Sequence, residues 1–292
     1  MWSSPSMPRK ARTLLPAAAV AAGLLAGCMP PEIGSPWPGG GNDGWKLTWQ
    51  AEWNEPAGTQ PSRSTWTYDI GNRTTNGWGN QELQYYTDSP NNVATDGQGN
   101  LVIAARKAAA GASLPCWNGG NCAYTSARIT TKGRVTLTTG RLEARIKVPA
   151  GIGLWSAFWM MGANGAWPTG GEIDVMESVG QEVPTVFASV HGPHDTNVYW
   201  TAAGRKDLNE PLSAAFHDFA VEKRPGDVRF FVDGQQYFRV VRSSTPAGGQ
   251  WVFDQPFYML LNLAVGGSWP GPPNAQTVFP ARMLVDWVRL YS

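Results

Sequence analysis

From residue 45 onward the chain repeats one pattern: short runs of alternating or continuous apolar residues, each closed by Gly, Pro, Asn or Asp. Period-two alternation predicts strands, because successive strand side chains point to opposite faces. Residues 141–148 are the clearest case. Leu142, Ala144, Ile146 and Val148 fall on one side, and Arg141, Glu143, Arg145 and Lys147 on the other. Residues 101–105 follow the turn sequence DGQGN. Residues 217–222, 228–232 and 236–241 predict two successive hairpins, divided by Arg-Pro-Gly-Asp and then by Asp233-Gly234. An Asp-Gly pair suits the positive φ angles of a tight hairpin turn. Residues 257–265 are almost unbroken apolar, as a strand covered on both faces requires, and 283–291 supply a last strand. Neither helical periodicity nor an internal repeat interrupts this series. Many short strands over about 250 residues predict an all-β fold, a two-sheet β-sandwich of the jelly-roll type.

Composition agrees with that picture and narrows the chemistry. Of 292 residues, 42% are hydrophobic, enough for a sizeable core. The 34 Gly and 23 Pro supply the turns between short strands. A net charge of +1 leaves no electrostatic footprint for nucleic acid. The 15 Trp are an unusual load: each can fill the core, or stand in water and stack on a flat apolar ligand such as a sugar face.

Residues 1–28 are an address and are set apart from the fold. Arg9, Lys10 and Arg12 precede the apolar stretch 13–27, which ends in Leu25-Ala26-Gly27-Cys28. This resembles a bacterial lipoprotein signal, which implies lipidation of Cys28, export, and membrane contact only through that anchor. Residues 29–44 are Pro/Gly-rich and read as a tether to the domain at 45–292. An exported chain meets an oxidising compartment, so Cys116 and Cys122, in CWNGGNC, are expected to form a disulfide.

The chemistry concentrates in Gly171-Glu172-Ile173-Asp174-Val175-Met176-Glu177-Ser178. Alternation puts Glu172 and Asp174 on one face, and Ile173 and Val175 on the other. Glu177 stands at an odd offset from Glu172, so a regular strand would turn it into the core, where a lone carboxylate is costly. A β-bulge at Val175-Met176 would return it to the face of the other two acids. Three acids on one face raise one another's pKa values. A glycosidase has use for that: one ionised carboxylate as nucleophile, one protonated acid as proton donor. A calcium site or an acidic surface patch fits less well, since calcium loops rarely carry Ile and Val on a strand.

E-I-D-V-M-E resembles the active-site strand of glycoside hydrolase family 16, in its laminarinase-like endo-β-1,3-glucanase form. Further segments carry the likeness: TWTYDIGN, WGNQELQYYT, YTSARITTKG, GRLEARIKVPAGIGLWSAFWMMG, ASVHGP, FYMLLNLAVGGSWPG and LVDWVRLY. The resemblance spans 45–292 and implies a jelly roll with a glucan cleft on its concave sheet. It implies endo-hydrolysis of laminarin-like β-1,3-glucan with retention, by a monomer, with mixed-linkage β-glucan as the nearest alternative substrate. A non-catalytic glucan-binding module is disfavoured, because both catalytic glutamates are present. By position Glu172 would be the nucleophile, Glu177 the acid/base, and Asp174 the residue between them.

The resemblance also implies substrate contacts. Trp155, Trp159 and Trp167 would line subsites, Trp269 would form a cleft wall, and His191 would lie near the scissile bond. Asn80, Arg128 and Asn262 would hydrogen-bond sugar hydroxyls. Each residue has a plainer reading: Asn80 as a turn residue, Arg128 as partner of a strand neighbour, Asn262 as a member of a buried polar network. Ser156 and His194 depart from the commonest family pattern. No cofactor is implied for catalysis. A structural Ca²⁺ is implied at Glu52, Gly99 and Asp286. The last is a lone acid in an apolar strand, which calls for a counter-ion.

Overall fold

The computed structural model describes residues 44–72 and 76–292. The leader, Cys28 and the tether up to residue 43 lie outside them. Two sheets face each other across one core, as the alternation predicts. The seven-stranded sheet is antiparallel, in the order Trp200–Asp207, Thr185–Gly192, Glu172–Val179, Leu154–Gly162, Phe257–Val265, Arg128–Thr130, Thr67–Asp69. The ten-stranded sheet is built around Gly140–Lys147 and Ala281–Tyr291. The hairpins of His217–Arg224, Asp227–Val232 and Gln235–Val241 extend it on one side, and Leu101–Lys107 on the other.

The side chains assigned inward by alternation are inside. Leu142, Ala144 and Ile146 are fully buried, while Arg141 and Arg145 remain outside and pair with Glu222 and Asp218 across the strands. Asp233-Gly234 makes its turn with φ of 48° and 72°. Phe257–Val265 is buried at every position, because it lies mid-sheet with the core beneath and loop 77–83 against its far end. Aromatic side chains fill the space between the sheets, among them Trp66, Phe158, Phe219, Phe230, Phe253 and Phe257. Leu47–Glu52 runs antiparallel to Ala281–Tyr291, and just beyond it Lys46 and Ser292 exchange both backbone hydrogen bonds at 3.0 Å.

Cys116 and Cys122 form the expected disulfide, with Cα atoms 4.9 Å apart. The bridge holds Trp117 in a tight loop. Trp117 takes the backbone N–H to Asn72 Oδ1 and the indole N–H to Glu82 O, both at 2.9 Å.

The carboxylates of the calcium expectation lie beside arginines in this structure. Strand pairing brings its three residues together, with Glu52 opposite Trp287 and Trp53 bridged to Gly99. Their carboxylates are nevertheless taken by arginines: Asp286 meets Arg145 Nε at 3.2 Å and Glu52 meets Arg289 at 3.0 Å. The counter-ion that Asp286 called for is Arg145, a cross-strand neighbour.

Candidate active site

The three acids stand on the outer face of the seven-stranded sheet, and a bulge brings them together. Against Leu154–Gly162, Asp174 pairs with Trp159 and Met176 with Phe158, leaving Val175 unpartnered. Against Thr185–Gly192, the three-residue step from Asp174 to Glu177 is matched by the two-residue step from Ser189 to Phe187. Ile173, Val175 and Met176 all enter the core at 0% exposure. The extra residue is thus absorbed on the apolar side, and Glu177 emerges beside Glu172 and Asp174.

The neighbours of the three acids differ. Asp174 is buried; it accepts a hydrogen bond from Ser189 Oγ and lies 3.1 Å from His191 Nε2. His191 Nδ1 is 2.8 Å from Thr201 Oγ1. Burial opposes charge on His191, but Asp174 and Glu172 outweigh it and hold its pKa above the ordinary imidazole value. Glu172 is pushed up to about 8 by burial and then by Asp174, while His191 and a hydrogen bond from Trp167 favour its charge. Glu177 is pushed well above the carboxylate range by burial, then by Asp174 and Glu172. It has only a neutral donor on the other side of the balance, Trp155 Nε1 at 3.0 Å. His191 beside Glu172, and two carboxyls with a single neutral donor beside Glu177, favour ionisation of Glu172 over Glu177.

Ligand atoms of Glu172, Asp174 and His191 lie within 4.8 Å of one another, a spacing that could hold a cation. Asp174 already accepts from Ser189 and His191, so the arrangement works as a hydrogen-bonded acid cluster.

Aromatic rings flank the acids on both sides. Trp155 and Trp159 share the outer face, as their spacing predicts. Trp269, 39% exposed, stands edge-on to Trp155 at 5.3 Å and to Phe187 at 4.9 Å. Trp167, 42% exposed, packs on Tyr199 at 5.1 Å, and Tyr199 on His191 at 5.4 Å. Large rings left in water beside buried carboxyls are suited to stacking on sugar faces.

The polar residues form one wall. Asn262 is buried; its Oδ1 accepts from Trp159 Nε1 at 2.7 Å and its Nδ2 donates to Tyr86 Oη at 3.2 Å. Tyr86 Oη lies 3.2 Å from Glu82 Oε2, Gln84 Nε2 donates to the same oxygen at 2.6 Å, and Asn80 Nδ2 donates to Glu82 Oε1 at 3.2 Å. Arg128 pairs with Asp69 at 2.6 Å and lies 4.0 Å over the Trp78 ring, so the plainer reading of Arg128 describes its contacts. Asn80 belongs to an irregular turn, Gly77–Gln81, where Trp78 and Gln81 have φ of 58° and 60°. Gly77, with φ 68°, has no room for a side chain: a Cβ there would sit 2.6 Å from Trp117. The Asn80 carbonyl accepts from Ser268 N at 2.7 Å, which ties this turn to the segment carrying Trp269.

The structure thus gathers Glu172, Asp174, Glu177, Trp155, Trp167, His191 and Trp269 around one locus, and joins Asn80, Trp159 and Asn262 through one hydrogen-bond network. Ser189, Tyr199, Glu82 and Tyr86 escaped the reading of the sequence. Ser189 had a detectable signal, since it is two residues from His191 and therefore on the same strand face. Glu82, Gln84 and Tyr86 likewise alternate, in ELQYY. Tyr199 lies in a loop and left no signal.

A family model described as "Glycosyl hydrolases family 16" matches residues 80–289. The chain is 37% identical over 257 residues to a β-glucanase of Rhodothermus marinus, with 85% of each chain covered. It is 36% identical over 266 residues to glucan endo-1,3-β-glucosidase A1 of Niallia circulans, covering 85% of this chain and 38% of that one. Among solved structures, an endo-β-1,3-glucanase from Pyrococcus furiosus superposes with a TM-score of 0.76 at 43% identity, covering 85% of this chain and 94% of the other. Matched over most of its length by a family model, a sequence relative and a solved structure alike, the chain belongs to glycosyl hydrolases family 16.

Proposed function

We propose that this protein cleaves β-1,3-glucan chains internally, with retention of anomeric configuration. The observation that carries the reading is the bulge at Val175, which returns Glu177 to the face of Glu172 in a locus flanked by tryptophans. The glucanase names of the relatives support β-glucan as substrate. Protonated Glu177 would give its proton to the glycosidic oxygen while the Glu172 carboxylate attacks the anomeric carbon. The leaving chain departs with that proton, and a glycosyl ester remains on Glu172. Glu177, now ionised, would take a proton from water as the water displaces Glu172. Asp174 and His191 would hold Glu172 in place and bias its charge. A retaining pair stands about 5–5.5 Å apart, a span within reach of neighbours on one strand face. No cofactor enters the scheme.

The test is product analysis on laminarin, lichenan and agarose in parallel. Proton NMR of the first laminarin product is expected to show the β-anomer. An α-anomer first would exclude Glu172 as nucleophile, and release from lichenan alone would move the substrate to mixed-linkage glucan.

The same reading gives the leader a purpose. A lipid on Cys28 and a Gly/Pro-rich tether would hold the enzyme at a bacterial cell surface while its site meets polymer outside; Met29 carries no acidic retention signal. Cys28→Ser is expected to abolish metabolic labelling by a fatty acid. Equal labelling of both forms would remove the anchor from the proposal.

A further inference from the structure

Glu82 stands outside the mechanism above, yet it is 4% exposed and lies at the centre of the polar wall. Its two carboxylate oxygens meet Asn80 Nδ2, Gln84 Nε2 and Tyr86 Oη. All three of these groups donate, and Glu82 is the acceptor of each bond. Every bond of the chain therefore has its direction set. Tyr86 must donate to Glu82, so its oxygen is free to accept from Asn262 Nδ2. Asn262 must then turn its Oδ1 to Trp159 Nε1. Asn80 must turn its amide nitrogen inward, which leaves its Oδ1 pointing away from Glu82.

We propose that Glu82 is a positioning residue for substrate, resting on the glucanase reading: as sole acceptor at the end of this chain, it fixes which edges of the Asn80 and Asn262 amides meet a bound sugar. The surroundings support a site held in one arrangement. Backbone oxygens of residues 82 and 84 both accept from Asn72 Nδ2, at 2.9 and 2.6 Å, and Trp117 Nε1 also donates to Glu82 O. Gln84 Oε1 accepts from Val265 N at 2.7 Å, which fixes Gln84 to the strand that carries Asn262. The turn bearing Asn80 keeps left-handed φ angles at Asn76, Trp78 and Gln81, conformations that persist only where neighbours over-determine them. Gly267, with φ 124°, lies between this turn and the catalytic face: a Cβ there would be 3.2 Å from Asn80 O and 3.6 Å from the Trp155 ring. Burial pushes the Glu82 carboxyl above its ordinary value, while Gln84, Asn80, Arg128 and Tyr86 act in the opposite sense.

Glu82→Gln keeps the shape but presents an amide N–H₂ to partners that are all donors, so at least one of them must turn round. The experiment compares wild type, Glu82→Gln, Asn80→Ala and the double variant by KM, kcat and thermal midpoint, on whichever glucan the wild type cleaves. Loss of one sugar hydrogen bond is worth roughly tenfold in binding. Glu82→Gln is expected to raise KM about that much with kcat little changed, the mark of lost uniform binding. The double variant is expected to fall short of the product of the two single effects, because Glu82 acts in part through Asn80 and in part through Tyr86 and Asn262. An unchanged KM in Glu82→Gln, or effects that multiply in the double variant, would overturn the proposal. If Glu82→Gln does not fold, Tyr86→Phe, which removes one hydroxyl, carries the same test: an unchanged KM there overturns it. A wild type that cleaves no β-glucan would overturn the functional reading instead.

Discussion

Glu177→Gln is expected to lower kcat on laminarin by roughly 10²–10⁴-fold, the usual worth of a general acid. Glu172→Gln should be at least as damaging, and the two losses should differ in kind. A β-glucoside with an activated leaving group needs no proton at departure. Glu177→Gln should therefore still release that group in a rapid first turnover and then stall with the sugar on Glu172. Glu172→Gln should release nothing, because the acceptor of the sugar is gone. Both variants should fold, since Ile173, Val175 and Met176 hold the strand from the other side. A burst on the activated substrate from Glu172→Gln, with none from Glu177→Gln, would reverse the two roles.

The second large effect is on stability, and it runs against activity. Burial, then Asp174 and Glu172, raise the Glu177 pKa well above the ordinary carboxylate value of 4.5. Above pH 4.5 the folded state therefore holds a proton that the unfolded chain has released, so stability falls as pH rises toward and through the folded pKa. Gln has the same shape, can still accept from Trp155 Nε1, and carries no ionisation to suppress. The thermal midpoint of Glu177→Gln should equal that of wild type near pH 4 and exceed it progressively through neutral and alkaline pH. Midpoints measured from pH 4 to pH 9 decide the matter. A constant gap would mean that Glu177 is no more desolvated than a surface carboxylate.

Local features of the chain were readable, and contacts between distant segments were not. The strand at 141–148 shows its inward and outward faces in its own alternation. Asp233-Gly234 names its turn. The bulge followed from one constraint: Glu177 cannot be both a lone acid and a core residue. Asp286 shows the limit. Its need for a counter-ion was visible, but Arg145 reaches it only through the pairing of two strands far apart in sequence. The resemblance pointed to calcium there, and gave no sign of the guanidinium that lies beside Asp286. Asn262 is similar: its interruption of an apolar strand announced a network, but Tyr86 lies 176 positions away. Arg128 could be resolved only once Thr67–Asp69 was seen beside Arg128–Thr130, which puts Asp69 directly opposite it.

The exchange of hydrogen bonds between Lys46 and Ser292 makes the domain topologically a ring with one seam. The seam lies at the edge where Leu47–Glu52 meets Ala281–Tyr291, in the sheet opposite the one that carries the acids. Closing it with a few linking residues and opening the chain at the Asp233-Gly234 turn would keep every strand pairing while changing the order of synthesis. Turns at the surface between strands are where permutation succeeds. Anything fused at either side of the seam departs from a single point on the ten-stranded sheet, so cargo can be attached there without approaching the sugar-facing side.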